Sequence, residues 1–249
     1  MGLFNEATKY GGSFYRSFSQ AHGSSDLDFY FNDDPVIQQG ICAGSSLDWL
    51  EYYLTRPEND HENYSNELMK QHRNKIITIQ RGLRHRDQSL SDLLVLYGLQ
   101  PHAYLPFKYK FNAANYKDVA KLSTASSGVN VISYKDPAQG RHVAVFYVDE
   151  NKNLFFMDTH RGDVSIPYPG SYRWLARYFA HFINKCGEIE ISHFRPEWYP
   201  QKAAQAYRSI ARDAIDYNPT QFGLERRHRA VTDLDFDHPR TSRAHRKIR

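Results

Sequence analysis

The chain has 249 residues, of which 41% are hydrophobic, so it is long and apolar enough to form one large domain with a substantial core. Its net charge of +4, from 32 basic and 28 acidic residues, does not by itself indicate a nucleic-acid-binding protein. Two cysteines are too few for a disulfide framework or a four-cysteine zinc site. The sequence contains no apolar run of about 18 residues, so no membrane span is predicted.

Composition divides the chain into three parts. Residues 1–25 are rich in glycine and serine without a period, which predicts a flexible lead-in. Residues 26–200 carry the apolar patterns and are predicted to form the main domain. Residues 201–249 are predicted to form a helix over 203–215 and then a basic tail, because 221–249 is rich in lysine and arginine. Such a tail is either simply solvated or an arm for anionic lipid, nucleic acid or an acidic partner.

The lone thiol of Cys42 is predicted to lie at the start of a helix that ends before Pro57. Leucines follow at helical spacing on one face, and Asp48 points away from that face. Backbone N–H groups in a first helical turn lower a thiol pKa from about 8.5 toward roughly 3.5–7.5, which makes Cys42 a candidate nucleophile. A buried core cysteine is the alternative. Small neighbours would let a substrate backbone come close to the thiol: Gly40, Ala43 and Gly44.

Two glutamines, Gln38 and Gln39, precede Cys42. A side-chain amide at this place can donate a hydrogen bond to an oxyanion that forms near the thiol, and Gln38 is the candidate. An exposed polar turn explains the same residues equally well.

Further elements follow from the hydrophobic periods and the turn residues. Residues 60–82 are polar and predict one exposed helix, and Ser89 is predicted to cap a second helix that Gly98 stops. Residues 102–111 are aromatic and predicted to be extended. Strands are predicted over 129–134, 142–148, 154–158, 164–166 and 189–194, and an apolar helix over 174–186. The expected class is therefore α+β.

The strands 142–148 and 154–158 predict a hairpin that brings His142 to Asp158. If Asn151 is the middle of the turn, Ala144 faces Asp158 and His142 is its diagonal neighbour; if Glu150 is the middle, His142 faces Asp158 directly. Both registers place the two side chains on one face of the sheet. An aspartate that binds one imidazole nitrogen leaves the other nitrogen to take a proton from a thiol.

Other interpretations of this region stay open. His160 and His181 lie near in sequence, so proximity alone does not decide which histidine is the base. Asp158, His160 and Asp163 are conceivable metal ligands, although they straddle a turn without a ligand spacing typical of metal sites.

These motifs resemble one known family. A Gly-x-Cys-x-Gly stretch that opens a Leu/Trp-rich helix, a histidine in Gly-Arg-His-Val-Ala-Val-Phe and an aspartate that closes Phe-Phe-Met-Asp resemble the YopT/AvrPphB-type papain-like cysteine proteases, which are bacterial effectors. The resemblance runs from about residue 36 to residue 195. It implies that Cys42 is the nucleophile, His142 the base and Asp158 the residue that orients the base. It also implies a papain-like fold in which a helical part packs against an antiparallel sheet.

The resulting prediction is a cysteine protease delivered by a bacterium into a host cell, where it cleaves a host protein. A glutamine deamidase or transglutaminase with the same triad, or a binding protein on the same scaffold, are the alternatives. No cofactor, metal or nucleic acid is expected, membrane association is assigned to the basic tail if it occurs, and the chain is expected to be a monomer. Cys186 is expected to be buried and inert on the apolar face of its helix.

Overall fold

The computed structural model describes residues 4–16, 41–56, 58–105, 107–136 and 140–216. Within these ranges the chain forms a seven-stranded sheet in which every pair of neighbouring strands is antiparallel. Helices cover both faces of the sheet, and each face has its own hydrophobic core. The fold is therefore α+β, as the sequence predicts.

The sheet has the strand order β1-β6-β5-β4-β3-β7-β2. The strands are β1 Ser13–Arg16, β2 Lys108–Phe111, β3 Gly128–Asp136, β4 Gly140–Val148, β5 Leu154–Asp158, β6 Gly162–Ile166 and β7 Ile189–Phe194. The helices are α1 Cys42–Thr55, α2 Asn66–Gln71, α3 Arg73–His85, α4 Leu90–Leu96, α5 Tyr116–Ser123, α6 Gly170–Cys186 and α7 Pro200–Ile215. Short 3-10 helices span Ala7–Tyr10 and Glu58–Asn63.

Helix α1 is buried on more than one side. Its residues from Cys42 to Leu50 are all buried, because the sheet lies against one side and α3 against another. Gly44 makes the second contact possible, since an added Cβ would lie 2.3 Å from the carbonyl oxygen of Ile76. One prediction is therefore wrong, because Gly44 accommodates a neighbouring helix rather than a substrate backbone. Asp48, predicted to point away from the leucine face, is itself buried and only 1% exposed.

Residues 4–16 differ from the flexible lead-in that the composition predicts. Phe4 is buried and makes an edge-on ring contact with Trp174 of α6, with a centroid distance of 5.3 Å. Strand β1 pairs with β6 at one edge of the sheet. One large aromatic side chain buries a large apolar surface, so Phe4 can hold this segment against the core although its composition is dominated by glycine and serine. The division of the chain at residues 25 and 200 stays a prediction.

The polar stretch 60–82 forms a 3-10 turn and two helices instead of one exposed helix. Ser65 caps α2 by accepting a hydrogen bond from the N–H of Leu68. Helix α3 is amphipathic, with buried isoleucines on one side, and it packs between α1 and α7. The capping serine explains the break, because it starts a new helix inside the predicted one.

The remaining predicted elements are close to the observed ones. Ser89 caps α4 together with Asp92, and Gly98 follows that helix with a φ of 94°. Sequence patterns missed α5 and β1. No helix among the described residues combines the length and hydropathy needed to span a membrane. The basic tail over 221–249 and Gln38 lie outside the described residues.

Candidate active site

Cys42 is the first residue of α1, and its thiol lies almost completely inside the protein. The N–H of Cys42 has no acceptor within the helix, because the N–H groups of the first turn have no residue four positions earlier in the helix to bind. Ile41, which precedes the helix, provides no side-chain cap. Cys42 is 9% exposed. Its sulfur accepts a hydrogen bond from the backbone N–H of Val143 in β4. The helix start and the adjacent strand therefore fix the thiol together.

The β4–β5 hairpin brings His142 and Asp158 to one face of the sheet. Ala144 pairs with Asp158, which is the register with Asn151 at the middle of the turn, and His142 is the diagonal neighbour. The Nε2–H of His142 donates to Asp158 Oδ1 at 3.0 Å. The other imidazole nitrogen remains for the thiol of Cys42, with which His142 shares a side-chain hydrogen bond. The three side chains thus form a line from thiol through imidazole to carboxylate.

Burial isolates this line from water. His142 is 2% exposed and Asp158 is fully buried. A carboxylate in such a place requires hydrogen bonds on both oxygens, because an unpaired buried charge is very costly. Asp158 has them: its Oδ1 also accepts from the N–H of His160 at 2.9 Å, and its Oδ2 accepts from Tyr178 at 2.9 Å and Arg161 at 3.2 Å.

The pKa values of the three groups shift in directions that favour a charged pair. Burial is the largest influence on each group and opposes its charge, but the contacts outweigh it. His142, the N–H of Val143 and the charge of Arg84 hold the pKa of the Cys42 thiol below its ordinary value. The Asp158 carboxylate raises the pKa of His142 to about 9. The pKa of Asp158 lies well below its usual range because of His142. Thiolate and imidazolium therefore stabilise each other near neutral pH.

The structure distinguishes the neighbouring histidines. The His160 ring packs against that of His142 at a tilt of 32° with a centroid distance of 4.2 Å, so it contacts the ring of the candidate base rather than replacing it. His181 lies on α6, where its ring meets Phe182 edge-on. No group of three or more potential metal ligands forms within the described part of the chain, so the metal site over Asp158, His160 and Asp163 has no support there.

Three contacts to the thiol or its helix were not found from sequence. Gln80 of α3 is buried, and its Oε1 accepts from the N–H of Gly44 at 3.2 Å in the first turn of α1. Arg84 lies one helical turn further along α3. Gln80 falls on the apolar face of α3, four residues after Ile76, and a polar residue at such a position indicates a buried partner. The N–H of Val143 leaves no sequence signal, because every residue except proline carries one.

Cys186 ends α6 and is half-buried, which differs from the fully buried position that the sequence predicts. It packs at the border of the core on the α6 side of the sheet. No disulfide forms in the described part of the chain, which includes both cysteines.

Comparisons with known proteins give one distant structural likeness. No protein-family model matches the chain, and no curated protein sequence matches it. The structure is similar to a crystal structure of the Pseudomonas avirulence protein AvrPphB, with 11% sequence identity and a TM-score of 0.47 over 70% of this chain and 96% of that one. A likeness this distant carries no argument about function.

Proposed function

We propose that the chain is a cysteine hydrolase in which Cys42 is the nucleophile, His142 the general base and acid, and Asp158 the residue that orients His142. The observation that carries this proposal is the buried line of three side chains, with His142 Nε2 hydrogen-bonded 3.0 Å from Asp158 Oδ1 and the thiol on the other side of the ring. Nucleophile, base and orienting group in this order are the arrangement that covalent acyl transfer needs.

The chemistry proceeds in two halves. The Cys42 thiolate attacks a carbonyl carbon and forms a C–S bond while the carbonyl oxygen becomes an oxyanion. The oxyanion then returns its electrons, the C–N bond breaks, and His142 donates its proton to the departing nitrogen. A water molecule next gives a proton to His142 and attacks the thioester. The acid product leaves, and the thiolate and imidazolium are restored.

The oxyanion needs donors beside the thiol. The N–H of Cys42 is the candidate within the described residues, because it begins α1 and has no acceptor in the helix. The N–H of Gly44 is excluded from this role, since it already donates to Gln80. Gln38 remains the proposed side-chain donor, on the argument from sequence alone.

Within this class of reaction we propose a protease as the first candidate, on a papain-like scaffold. The motifs around Cys42, His142 and Asp158 support it by their resemblance to the YopT/AvrPphB-type proteases. By the same resemblance the substrate is a protein of a host cell, and the protease is delivered there by a bacterium.

Glutamine chemistry is the second candidate, and one observation favours it. The small residues after the thiol, Ala43, Gly44 and Ser45, are all buried and do not line an open groove for a main chain. The argument for a protease from small neighbours of the thiol is therefore lost for these residues. A nearly buried thiol is accessible to a single glutamine side chain more easily than to an extended peptide.

The experiment is a comparison of host-cell lysates treated with the wild-type chain and with the Cys42→Ala variant, followed by mass spectrometry of intact proteins and new termini. New termini that need Cys42 support the protease. A substrate of unchanged length that gains one negative charge or an attached amine supports glutamine chemistry. Cys186→Ala is the matched control, because it removes the other thiol and should leave every product unchanged.

A binding protein without catalysis is tested separately. A thiol-directed probe should label Cys42 faster than free cysteine, and labelling should fall in His142→Ala. Labelling of Cys42 no faster than free cysteine, with no lysate product, would overturn the enzyme proposal.

A further inference from the structure

The two oxygens of the Asp158 carboxylate face different partners. Its Oδ1 faces His142, while its Oδ2 faces away and accepts from the hydroxyl of Tyr178 at 2.9 Å and from Nη1 of Arg161 at 3.2 Å. Only one of the four hydrogen bonds to this carboxylate therefore comes from the imidazole. The other donors fix its orientation and also take part of its negative charge.

Arg161 and Tyr178 are held in place by contacts of their own. The guanidinium of Arg161 lies over the ring of Phe182, 4.5 Å from its centroid. Tyr178 is buried and shares a side-chain hydrogen bond with Tyr134. Because these contacts do not involve Asp158, the two donors are positioned independently of the carboxylate. Preorganised donors lose little entropy when they bind it.

We propose that Arg161 is a positioning residue of this site, which neutralises Oδ2 of Asp158 and so limits how firmly Oδ1 holds a proton on His142. The inference rests on the proposed function. It assigns Arg161 no contact with a substrate, because Arg161 acts through Asp158.

A limit of this kind has a clear use in the two-step reaction. His142 must carry a proton in the first half and lose one to the leaving group before water attacks. A buried aspartate beside a histidine stabilises the imidazolium strongly. A permanent cation on the far oxygen reduces that stabilisation and so eases transfer of the proton from the imidazolium to the leaving group.

Several elements pack around His142, and each contributes charged or titratable groups. Arg161 is the permanent cation that contacts Asp158 directly, whereas Arg141, next to His142 in β4, is exposed. The groups are Cys42 from α1, Tyr134 from β3, Asp158 from β5, His160 and Arg161 from the β5–β6 turn, and Tyr178 from α6, with His181 on α6 near Arg161.

The test is the pH profile of Cys42 alkylation by iodoacetate, with the modified residue located by mass spectrometry. This anionic reagent reacts with the thiolate and is attracted by the imidazolium, so its rate should form a bell whose basic limb reports proton loss from the thiol–imidazole pair. In Arg161→Gln the basic limb should move up by roughly 1 pH unit, because the full charge of Asp158 then acts on His142.

Three further variants keep the outcome clear. Arg161→Lys retains the charge and should return the basic limb most of the way to the wild-type position. Arg173→Gln removes an exposed arginine and should leave the limb unchanged. Tyr178→Phe removes only a hydroxyl that donates to the same oxygen, so it should move the limb in the same direction by less, and it provides the answer if Arg161→Gln does not fold.

The outcomes separate the two proposals. The role of Arg161 alone is overturned if the wild-type basic limb disappears in His142→Ala but does not move up in Arg161→Gln. If Arg161→Gln does not fold, a basic limb that does not move up in Tyr178→Phe has the same meaning. An equal shift in Arg173→Gln also overturns it, because the effect is then one of net charge. A wild-type profile that does not depend on His142 overturns the proposed function and this inference together.

Discussion

Two aspartate–histidine pairs lie at helix α1. One contacts its first residue, Cys42, and the other includes Asp48 of the helix itself. In the first, His142 Nε2 lies 3.0 Å from Asp158 Oδ1, and both side chains are almost completely buried. In the second, His72 Nδ1 lies 2.9 Å from Asp48 Oδ2, but the His72 side chain is 36% exposed. The pairs have nearly the same hydrogen-bond length and differ in what surrounds them.

The surroundings give the two pairs different roles. The second nitrogen of His142 faces a thiol, and no lysine contacts Asp158 within the described residues. Asp48 instead receives Lys75 at 3.0 Å and Tyr64 at 3.1 Å, and these residues join α1 to the segment before α2 and to α3. An aspartate–histidine pair therefore indicates catalysis only when a nucleophile completes it. The Asp48 pair fixes α1 in place.

The largest expected difference between the pairs is in catalysis. His142→Ala should lower the hydrolysis rate of the substrate found in lysate by about 10³-fold, because it removes the general base. His72→Ala is the matched control at the other pair and should change the rate less than about twofold. Initial rates at saturating substrate measure both. Equal losses in the two variants would show that the pairs do not differ in role.

The next effect concerns the carboxylates. Asp158→Asn should lower the same rate by about 10²-fold, since the imidazole loses its orienting charge but the thiol–imidazole contact remains. Residual activity above that of Cys42→Ala is expected. A variant as active as the wild type would show that Asp158 only stabilises the fold.

Asp48→Asn should act on stability instead. The amide removes the buried partner charge of Lys75 and leaves its ion pair with the partly exposed Glu51. Breaking the buried contact costs about 2 kcal/mol, or roughly 30-fold in the folded-to-unfolded ratio. Partial exposure of Lys75 keeps the loss below that of a fully buried pair. Urea unfolding measures the change. Alkylation of Cys42 in the folded variant should match the wild type, and a large loss of reactivity there would contradict the separation of roles.

The pH dependence of alkylation by neutral iodoacetamide gives a smaller effect of known sign. The pKa of Cys42 is lowered, so the thiolate is present above that value and is lost as the pH falls through it. In His142→Ala, burial still disfavours the thiolate, while the hydrogen bond and charge of His142, which stabilise the thiolate, are removed. The midpoint should therefore rise, and the rate at pH 7 should fall by about tenfold or more. His72→Ala should keep the wild-type midpoint.

The sequence predicted the local parts of this site and missed the long-range ones. The hairpin between β4 and β5 needs only turn chemistry and a period of two, so the proximity of His142 to Asp158 followed from counting residues. The Asp48 pair was missed, because its partners lie 16 to 27 residues further along the chain and Asp48 is on the side of α1 away from its leucine face. Tyr178 as a donor to Asp158 Oδ2 was missed for a related reason, since it lies 20 residues beyond Asp158 on helix α6.

The smallest expected difference uses one hydroxyl at each pair. Tyr64 donates to Asp48 Oδ2 at 3.1 Å and Tyr178 donates to Asp158 Oδ2 at 2.9 Å, and both rings are buried. Phenylalanine keeps either ring in place, so each substitution should cost about 1 kcal/mol of unfolding free energy. Only Tyr178→Phe should also raise the basic limb of the iodoacetate profile, because only its partner oxygen belongs to a carboxylate that holds His142. If both variants lose the same stability but only Tyr178→Phe shifts the basic limb, the contribution of a hydroxyl to folding is separate from its effect on the base. A shift of the basic limb in both variants would mean that the Asp48 pair also acts on the thiol.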